Sequence, residues 1–254
     1  MRRLLPMLAS ALLLVLVPTT ATAITGGEVD TEDRYPFVGL LAFYDDEGEY
    51  LHRCTGTLLS STVVLTASHC TEGTASAYAY FQVSVPEDFR ENPTGVAGTP
   101  YTHPDYNPNT LQNDVAVVIL DEPVHLSEYA VLADEGFLTD LRRDGGIRDA
   151  TFVVVGYGGV TASKPPAIEY DYLRRFAEST FRGLLWNNLH LHQNPVAQGG
   201  SGGTCFGDSG GPTFWDDTLT IVSVTSWGDA ICRSNSMTQR LDIASVLDWL
   251  DQWV

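Results

Sequence analysis

Short β segments separated by turns recur along almost the whole chain and leave room for little helix. Five such runs, each rich in aliphatic, β-branched or aromatic residues, are 37–44, 62–65, 115–120, 152–155 and 219–224. Strands this short and closely spaced indicate a β-sandwich or barrel, not a sheet with alternating helices. The exception is the end of the chain. Apolar residues from Leu241 to Val254 recur mostly every three to four positions, which predicts a terminal helix.

The first 23 residues have the three parts of a secretory signal peptide. Two arginines follow the initial methionine, an apolar run spans 4–17, and small residues stand at Ala21 and Ala23. The run is too short to cross a bilayer comfortably as a helix, which disfavours the alternative of an uncleaved anchor. We therefore predict a secreted, extracellular protein. The arginine pair leaves a twin-arginine export route open.

The chain is strongly acidic, with 32 acidic against 14 basic residues and a formal net charge of −18. Such a charge favours solubility and disfavours binding to polyanions through bulk electrostatics. We expect no nucleic acid among the partners of this protein, and no membrane association once the signal peptide is removed. A solvated acidic surface explains the charge without a cation site.

Four cysteines in an exported chain predict two disulfide bonds. Cys54, Cys70, Cys205 and Cys232 allow three pairings, and their spacing alone does not choose among them. No two of them have Cys-x-x-Cys spacing, and no cluster of cysteines and histidines has the spacing of zinc ligands. We expect neither a metal nor a cofactor.

Three short segments hold the residues that carry chemistry. His69 follows an apolar run, Asp114 precedes another, and Ser209 stands in the glycine-rich turn 207–212. Hydrolysis through a serine needs a base of near-neutral pKa to take the hydroxyl proton, and a carboxylate to orient that base. Each residue alone has an ordinary interpretation as a core histidine, a turn acid or a loop serine. Together they predict a catalytic set.

The glycines of the turn 207–212 have a chemical reason of their own. Without Cβ atoms, backbone N–H groups can converge on the negative charge that develops on a carbonyl oxygen during acyl transfer. The predicted donors of this oxyanion hole are the N–H groups of Gly207 and Ser209.

These segments resemble the motifs of the trypsin/chymotrypsin family of serine proteases, in the family's order of histidine, aspartate and serine. The resemblance continues through five further stretches: Ile24-Thr25-Gly26-Gly27, which is similar to the family's mature N-terminus, Cys54 to Leu59, His103 to Asn107, Gly156-Tyr157-Gly158, and Ser226-Trp227-Gly228. It spans essentially the whole chain after residue 23 and is weakest between residues 163 and 200.

The resemblance implies an all-β fold of two six-stranded antiparallel β-barrels, with the active site in the cleft between them. A signal peptide at 1–23 would precede one peptidase domain at 24–254. Within that domain the expected parts are an N-terminal barrel at about 24–125, a C-terminal barrel at about 126–240 and a terminal helix at about 242–254. The resemblance pairs Cys54 with Cys70 and Cys205 with Cys232.

The resemblance also implies an ion pair at a newly formed N-terminus. Cleavage before Ile24 frees an ammonium that inserts beside Asp208, and a buried carboxylate needs such a partner. Ala23 precedes Ile24 with no Arg or Lys at the cleavage position, so signal peptidase itself would produce the active terminus. A short pro-peptide removed by another protease is the alternative.

The same resemblance predicts the substrate-binding residues. Gly203 stands at the pocket floor, where an aspartate would select Arg or Lys, and Gly228 leaves the pocket mouth open. With Ser226 and Trp227, Gly228 forms the strand that binds the substrate backbone. An open, uncharged pocket favours an apolar or aromatic residue before the scissile bond. Asp229 is either a solvated rim residue or a bias toward basic groups, and the sequence leaves both open.

We therefore predict a secreted serine endopeptidase that forms an acyl-enzyme on Ser209 and needs no cofactor. Its expected partners are protein or peptide substrates and proteinaceous inhibitors, and we expect a monomer. Two alternatives remain. A catalytically silent binding module on the same fold is disfavoured by the complete catalytic set. An esterase with little peptidase activity would not require the strand 226–228.

Overall fold

Strands make up most of the regular secondary structure of the described chain. The computed structural model describes residues 24–161, 165, 167–193 and 202–254, so the predicted signal peptide lies outside the described residues. The strands form two closed barrels of six antiparallel strands each, which confirms the predicted fold class. No helix within these residues is long and apolar enough to span a membrane.

The first barrel follows a two-residue strand, β1 (Glu28–Val29), which pairs with the second barrel. Its six strands are β2 (Val38–Tyr44), β3 (Tyr50–Leu58), β4 (Val63–Thr66), β5 (Ser76–Tyr80), β6 (Val96–Thr102) and β7 (Ala116–Leu120). They pair in the order β2-β3-β4-β7-β6-β5, and β5 closes the barrel on β2.

Strand β2 is buried along its whole length because apolar residues occupy both of its faces. Leu41 and Phe43 belong to the main core, whereas the alternating residues Leu40 and Tyr44 pack in a second cluster around Tyr157. Successive side chains of a strand point to opposite faces. A continuous apolar run therefore marks a strand covered on both sides.

The second barrel is built in the same way and carries two short additions. After β8 (Val131–Leu132), its strands are β9 (Thr151–Gly156), β10 (Arg175–Leu184), β11 (Asn188–His192), β12 (Pro212–Trp215), β13 (Thr220–Gly228) and β14 (Asn235–Arg240). They pair in the order β9-β10-β11-β14-β13-β12, and β12 returns to β9. Strand β1 extends this sheet beside β10, and β8 pairs in parallel with β13.

Helices are short and lie outside the barrels. They are α1 (Ser68–Thr71), α2 (Phe137–Arg143), a 3-10 turn (Gly146–Arg148) and α3 (Ala244–Leu250). Helix α3 is the predicted terminal helix, but it is shorter than the expected 242–254 because Ile243 is extended and the helix is capped at Asp251. Trp249 of α3 packs against His103 with the two rings tilted by 50° and their centroids 4.9 Å apart. The end of the chain therefore packs on the first barrel.

A buried arginine ties the two barrels together just before β10. Arg174 Nε donates to Asp30 at 2.8 Å, and both side chains are fully buried. Its Nη1 donates to the carbonyls of Val38 (3.1 Å) and Phe81 (2.8 Å) in the first barrel, and its Nη2 pairs with Asp33. These partners satisfy a charge that would otherwise be costly to bury.

Candidate active site

Strand pairing brings His69 and Asp114 to one edge of the first barrel. Strands β4 and β7 pair with Thr66 opposite Ala116, so α1 after β4 and the residue before β7 emerge side by side. Asp114 Oδ2 lies 2.8 Å from His69 Nδ1, and Asp114 Oδ1 accepts the backbone N–H of His69 at 2.8 Å. The carboxylate is fully buried. It therefore fixes the imidazole with Nδ1 as the donor.

The second barrel completes the surroundings of Asp114. Ser226, in β13, donates its hydroxyl to Asp114 Oδ2 at 2.5 Å. Sequence reasoning assigned Ser226 to substrate binding alone and missed this contact. Three donors, two of them from His69, converge on one carboxylate across the barrel boundary.

Ser209 lies across the same cleft from the first barrel. It lines a cavity of about 330 Å³, here termed the first cavity, together with His69. No hydrogen bond joins Ser209 Oγ to His69 Nε2 within the described residues. Contacts of this kind are often long in a free enzyme and shorten when substrate binds.

The turn before β12 presents two free amide groups beside Ser209. Gly207 has a φ of +100°, and the carbonyl groups of this turn point away from the cavity: Gly207 O accepts from Thr55 Oγ1 at 2.9 Å, and Phe206 O from Gly159 N at 3.0 Å. Within the described residues, the N–H groups of Gly207 and Ser209 have no acceptor. Two unpaired donors on one turn are the arrangement that an oxyanion hole requires.

Asp208 is fully buried behind this turn. Its carboxyl group accepts the backbone N–H groups of Gly158 (2.7 Å) and Cys205 (2.8 Å). Burial raises the pKa of Asp208 to about 7, although these hydrogen bonds and the charge of Arg53 act in the opposite direction. A Cβ at Gly156 or Gly158 would overlap the carboxyl oxygens, which explains the glycines in Gly156-Tyr157-Gly158.

Ile24 is buried in the second barrel, and its backbone has a φ of +45°. Thr25 bridges to Gly203, whose N–H donates to Thr25 O at 3.1 Å. In the full-length chain Ile24 is still linked to residue 23 and has no free ammonium, and no hydrogen bond joins it to Asp208 within the described residues. The ion pair between them stays a prediction for the cleaved chain.

Both disulfide bonds border the cleft. Cys54 is bonded to Cys70, and Cys205 to Cys232, as the resemblance implies. Cys54, His69 and Cys70 also bring potential metal-ligating atoms within 4.8 Å of one another. The two sulfurs are consumed in a disulfide, however, and metal binding requires thiolates. This cluster does not fit a metal ion.

The walls of the first cavity are mostly apolar or backbone. Besides the disulfide Cys205–Cys232, they include Phe206, Trp227, Gly228 and Asp229. Burial opposes ionisation of Asp229, but backbone hydrogen bonds from Asn235, Arg233 and Ser234 outweigh it and lower the pKa of this carboxyl group. Asp229 therefore organises the loop that follows it.

Gln193, which sequence reasoning missed, packs against Gly203, the residue predicted at the pocket floor. Gly203 does not line the first cavity, and a Cβ placed on it would lie 2.5 Å from Gln193 Cγ. Gln193 Nε2 donates to Asn235 O at 2.7 Å and to Thr204 Oγ1 at 3.3 Å. Thr204 Oγ1 in turn lies 2.8 Å from Ser236 Oγ. Thr204 is the member of this uncharged polar network that lines the first cavity, and Gln193 fills the space beside Gly203.

A second cavity, of about 440 Å³, opens on the other side of Ser209. Residues that line it include Tyr50, Arg53, His69, Tyr170, Gly207 and Ser209. The two cavities share His69, Phe206 and Ser209. The candidate nucleophile therefore stands between two separate spaces.

Comparison with known proteins is consistent with this geometry. A family model described as Trypsin matches residues 24–250. Similar sequences include Chymotrypsin-C of Rattus norvegicus, 29% identical over 84% of this chain and 81% of its own length. Trypsin zeta of Drosophila erecta is 27% identical over 90% of this chain and 84% of its own length. Among solved structures, a chain titled HL collagenase superposes with a TM-score of 0.68 at 19% identity, covering 89% of this chain and 96% of that one.

Proposed function

Because this chain belongs to the trypsin family and is a serine-type endopeptidase, we propose that it cleaves peptide bonds through an acyl-enzyme on Ser209. His69 takes the proton of the Ser209 hydroxyl as that oxygen attacks the scissile carbonyl. His69 then gives this proton to the leaving amine. Asp114 holds Nδ1–H and stabilises the imidazolium. Water activated by His69 finally releases the acyl group.

The observation that carries this proposal is the buried Asp114 carboxylate, which holds His69 through two hydrogen bonds in the cavity that also contains Ser209. The unpaired N–H groups of Gly207 and Ser209 supply the oxyanion hole. Each such donor contributes about 100- to 1,000-fold to the rate. The strand 226–228 borders the same cavity and binds the substrate backbone.

We propose that the residue before the scissile bond is apolar or aromatic. Trp227, Phe206 and the disulfide Cys205–Cys232 give the first cavity apolar walls. Its acid, Asp229, accepts hydrogen bonds from the backbone of its own loop. Thr204, which also lines the cavity, belongs to an uncharged network with Gln193. A pocket with no free carboxylate gives Arg or Lys no counter-charge.

Export and activation complete the proposal. The signal peptide would direct export, and its removal after residue 23 would leave the secreted enzyme with Ile24 at its N-terminus. The new ammonium would pair with Asp208. We expect a monomer that acts on protein substrates and is open to proteinaceous inhibitors.

The test compares the enzyme that starts at Ile24 with its Ser209→Ala variant. We expect the enzyme to react with a fluorophosphonate, to degrade casein and to cut peptides after Phe, Tyr or Leu more readily than after Arg or Lys. Ser209→Ala should lose labelling and hydrolysis while its thermal unfolding is unchanged, since only one hydroxyl group of a half-buried side chain is removed. Turnover by Ser209→Ala close to wild type would refute the assignment. Cleavage of simple esters without casein would favour an esterase.

A further inference from the structure

We propose that Arg53 binds a carboxylate on the leaving-group side of the scissile bond, so that the enzyme favours Asp or Glu shortly after the bond. The inference rests on the proposed function, since it takes Ser209 as the nucleophile. Arg53 lies in β3, directly before Cys54, and its side chain lines the second cavity with Ser209 and Gly207.

The position of each cavity relative to Ser209 indicates which half of the substrate binds in it. The first cavity is bordered by Trp227 and Gly228, which belong to the strand proposed to bind the acyl half. The polypeptide that follows the scissile bond must continue from Ser209 in the other direction. The second cavity lies there, and the leaving amine takes its proton from His69 at the border that the cavities share.

Arg53 is held in place, and only part of its hydrogen-bonding capacity is used, in a side-chain hydrogen bond with Tyr50. Its Cζ lies 4.0 Å from the ring centroid of Tyr170 and 5.2 Å from that of Tyr172. Its Nε and Nη2 atoms are buried and have no acceptor within the described residues. Stacking on an aromatic ring orients the plane of a guanidinium, and buried N–H groups without acceptors are costly. A carboxylate that enters the second cavity provides a counter-charge for this oriented guanidinium, the group that arginine presents to carboxylates.

In the part of the chain that the structure describes, the surroundings of Arg53 in this cavity supply the hydroxyl group of Tyr50 but no carboxylate. Among the described residues that line the second cavity, none is an aspartate or a glutamate. Asp208 is near enough for Arg53 to lower its pKa, but it is fully buried and accepts from Gly158 and Cys205. The net charge of −18 repels acidic segments at long range. Salt screens that repulsion over about 8 Å, whereas contact with Arg53 acts at hydrogen-bond distance.

The test uses peptides that share Leu before the scissile bond, have amidated C-termini, and carry Glu, Gln or Lys at the first or second position after it. In the wild type we expect kcat/KM for the best Glu peptide to exceed that for its Gln counterpart about tenfold, as for one charge-assisted contact in a partly buried site. The ratio should fall to about one in Arg53→Gln and recover partly in Arg53→Lys. Arg148→Gln, an equal change of charge at an exposed residue outside both cavities, should keep the wild-type ratio.

The ratio is taken within each variant, so a change in overall activity does not alter its meaning. A wild-type ratio near one, or a ratio that survives in Arg53→Gln, overturns the inference. If Arg53→Gln does not fold, the wild-type ratio and Arg53→Lys decide. A further Gln peptide with a free C-terminus serves as a comparison. If only that peptide is favoured, Arg53 binds the C-terminal carboxylate of a substrate and not an acidic side chain, which overturns the inference. Failure of the wild type to cut every peptide refutes the proposed function, and this inference with it.

Discussion

The protonation state of Asp208 depends on whether the chain begins at Ile24 or continues before it. Its carboxyl group is fully buried and has two backbone donors, and no cation of the described part of the chain is in hydrogen-bond contact with it. With Ile24 still linked to residue 23, burial holds the pKa of Asp208 at about 7, against an ordinary value of 3.8. A new ammonium at Ile24 would favour the ionised form and lower this pKa.

The first prediction compares a chain that starts at Ile24 with one that keeps Ala23. In the extended chain, the protonated Asp208 stabilises the fold fully below about pH 4, and this contribution is lost as the pH rises through about 7. The difference between the free energies of unfolding of the two chains should therefore widen from pH 4 to pH 7, with the Ile24 chain the more stable at pH 7. Urea unfolding at several pH values measures it.

Activity provides the second readout of the same pair of chains. The extended chain should be poorly active although folded, because its Asp208 lacks the ammonium that would hold the oxyanion turn in place. Equal activity and parallel pH profiles would contradict the ion pair. Full activity of secreted enzyme that starts upstream of Ile24, found by N-terminal sequencing, would contradict the cleavage site as well.

At this scale, local motifs were enough to predict some residues and not others. His69, Asp114 and Ser209 each stand in a short segment with its own signature, so their proximity was predicted before any strand was placed. Gln193 has no signature, and it reaches Gly203 only because the end of β11 folds against the residues before the turn. Such a contact depends on how the segment before residue 200 packs, and no local motif predicts that packing.

Among the elements, the turn from Gly207 to Gly211 is the one most tightly confined. Gly210 has a φ of +76°, and a Cβ on it would overlap Thr66 Oγ1 and lie 2.7 Å from Ala67 N. The turn therefore contacts the end of β4 in the first barrel, just before the helix α1 that holds His69. Glycine is needed here both for its backbone conformation and for the close approach of the two barrels.

Two glycine substitutions distinguish the cost of a positive φ from the cost of a steric overlap with the first barrel. Gly145→Ala changes a residue at φ +84° with nothing within 4 Å of the new Cβ, so it should cost about 1 to 2 kcal/mol of unfolding free energy and leave activity intact. Gly210→Ala meets the same backbone penalty and a collision with the first barrel. We expect a larger loss of stability and a fall of kcat/KM of about 100-fold or more. Similar effects of the two changes on both quantities would show that the contact with β4 is unimportant.

The two barrels share one hydrophobic core, and interior polar contacts link them further. Arg174 links the segment before β10 to Asp30 and to two carbonyls of the first barrel. The strand pattern predicted an all-β molecule, and the resemblance predicted two barrels with a terminal helix. Neither identified Arg174, because a buried arginine has the same sequence signal as an exposed one until its partners are brought together.

Removal of this link should be costly. Arg174→Met leaves Asp30 buried without its partner, and we expect a loss of about 3 to 5 kcal/mol in the free energy of unfolding. Arg143→Met breaks the exposed pair with Asp140 and should cost less than about 1 kcal/mol. Chemical denaturation of both variants measures the difference. A cost below 1 kcal/mol for Arg174→Met would mean that the interior contact is dispensable.

The distribution of the site over both barrels has a consequence for synthesis of the chain. His69 and Asp114 leave the ribosome early, but Ser209 and Ser226 follow only near the end, and Trp249 of α3 must still reach His103 on the first barrel. An unfinished chain can fold its first barrel, since domains form in order of emergence, yet it holds no nucleophile. A nascent chain that has not yet reached residue 209 therefore lacks the proposed nucleophile and cannot form the acyl-enzyme.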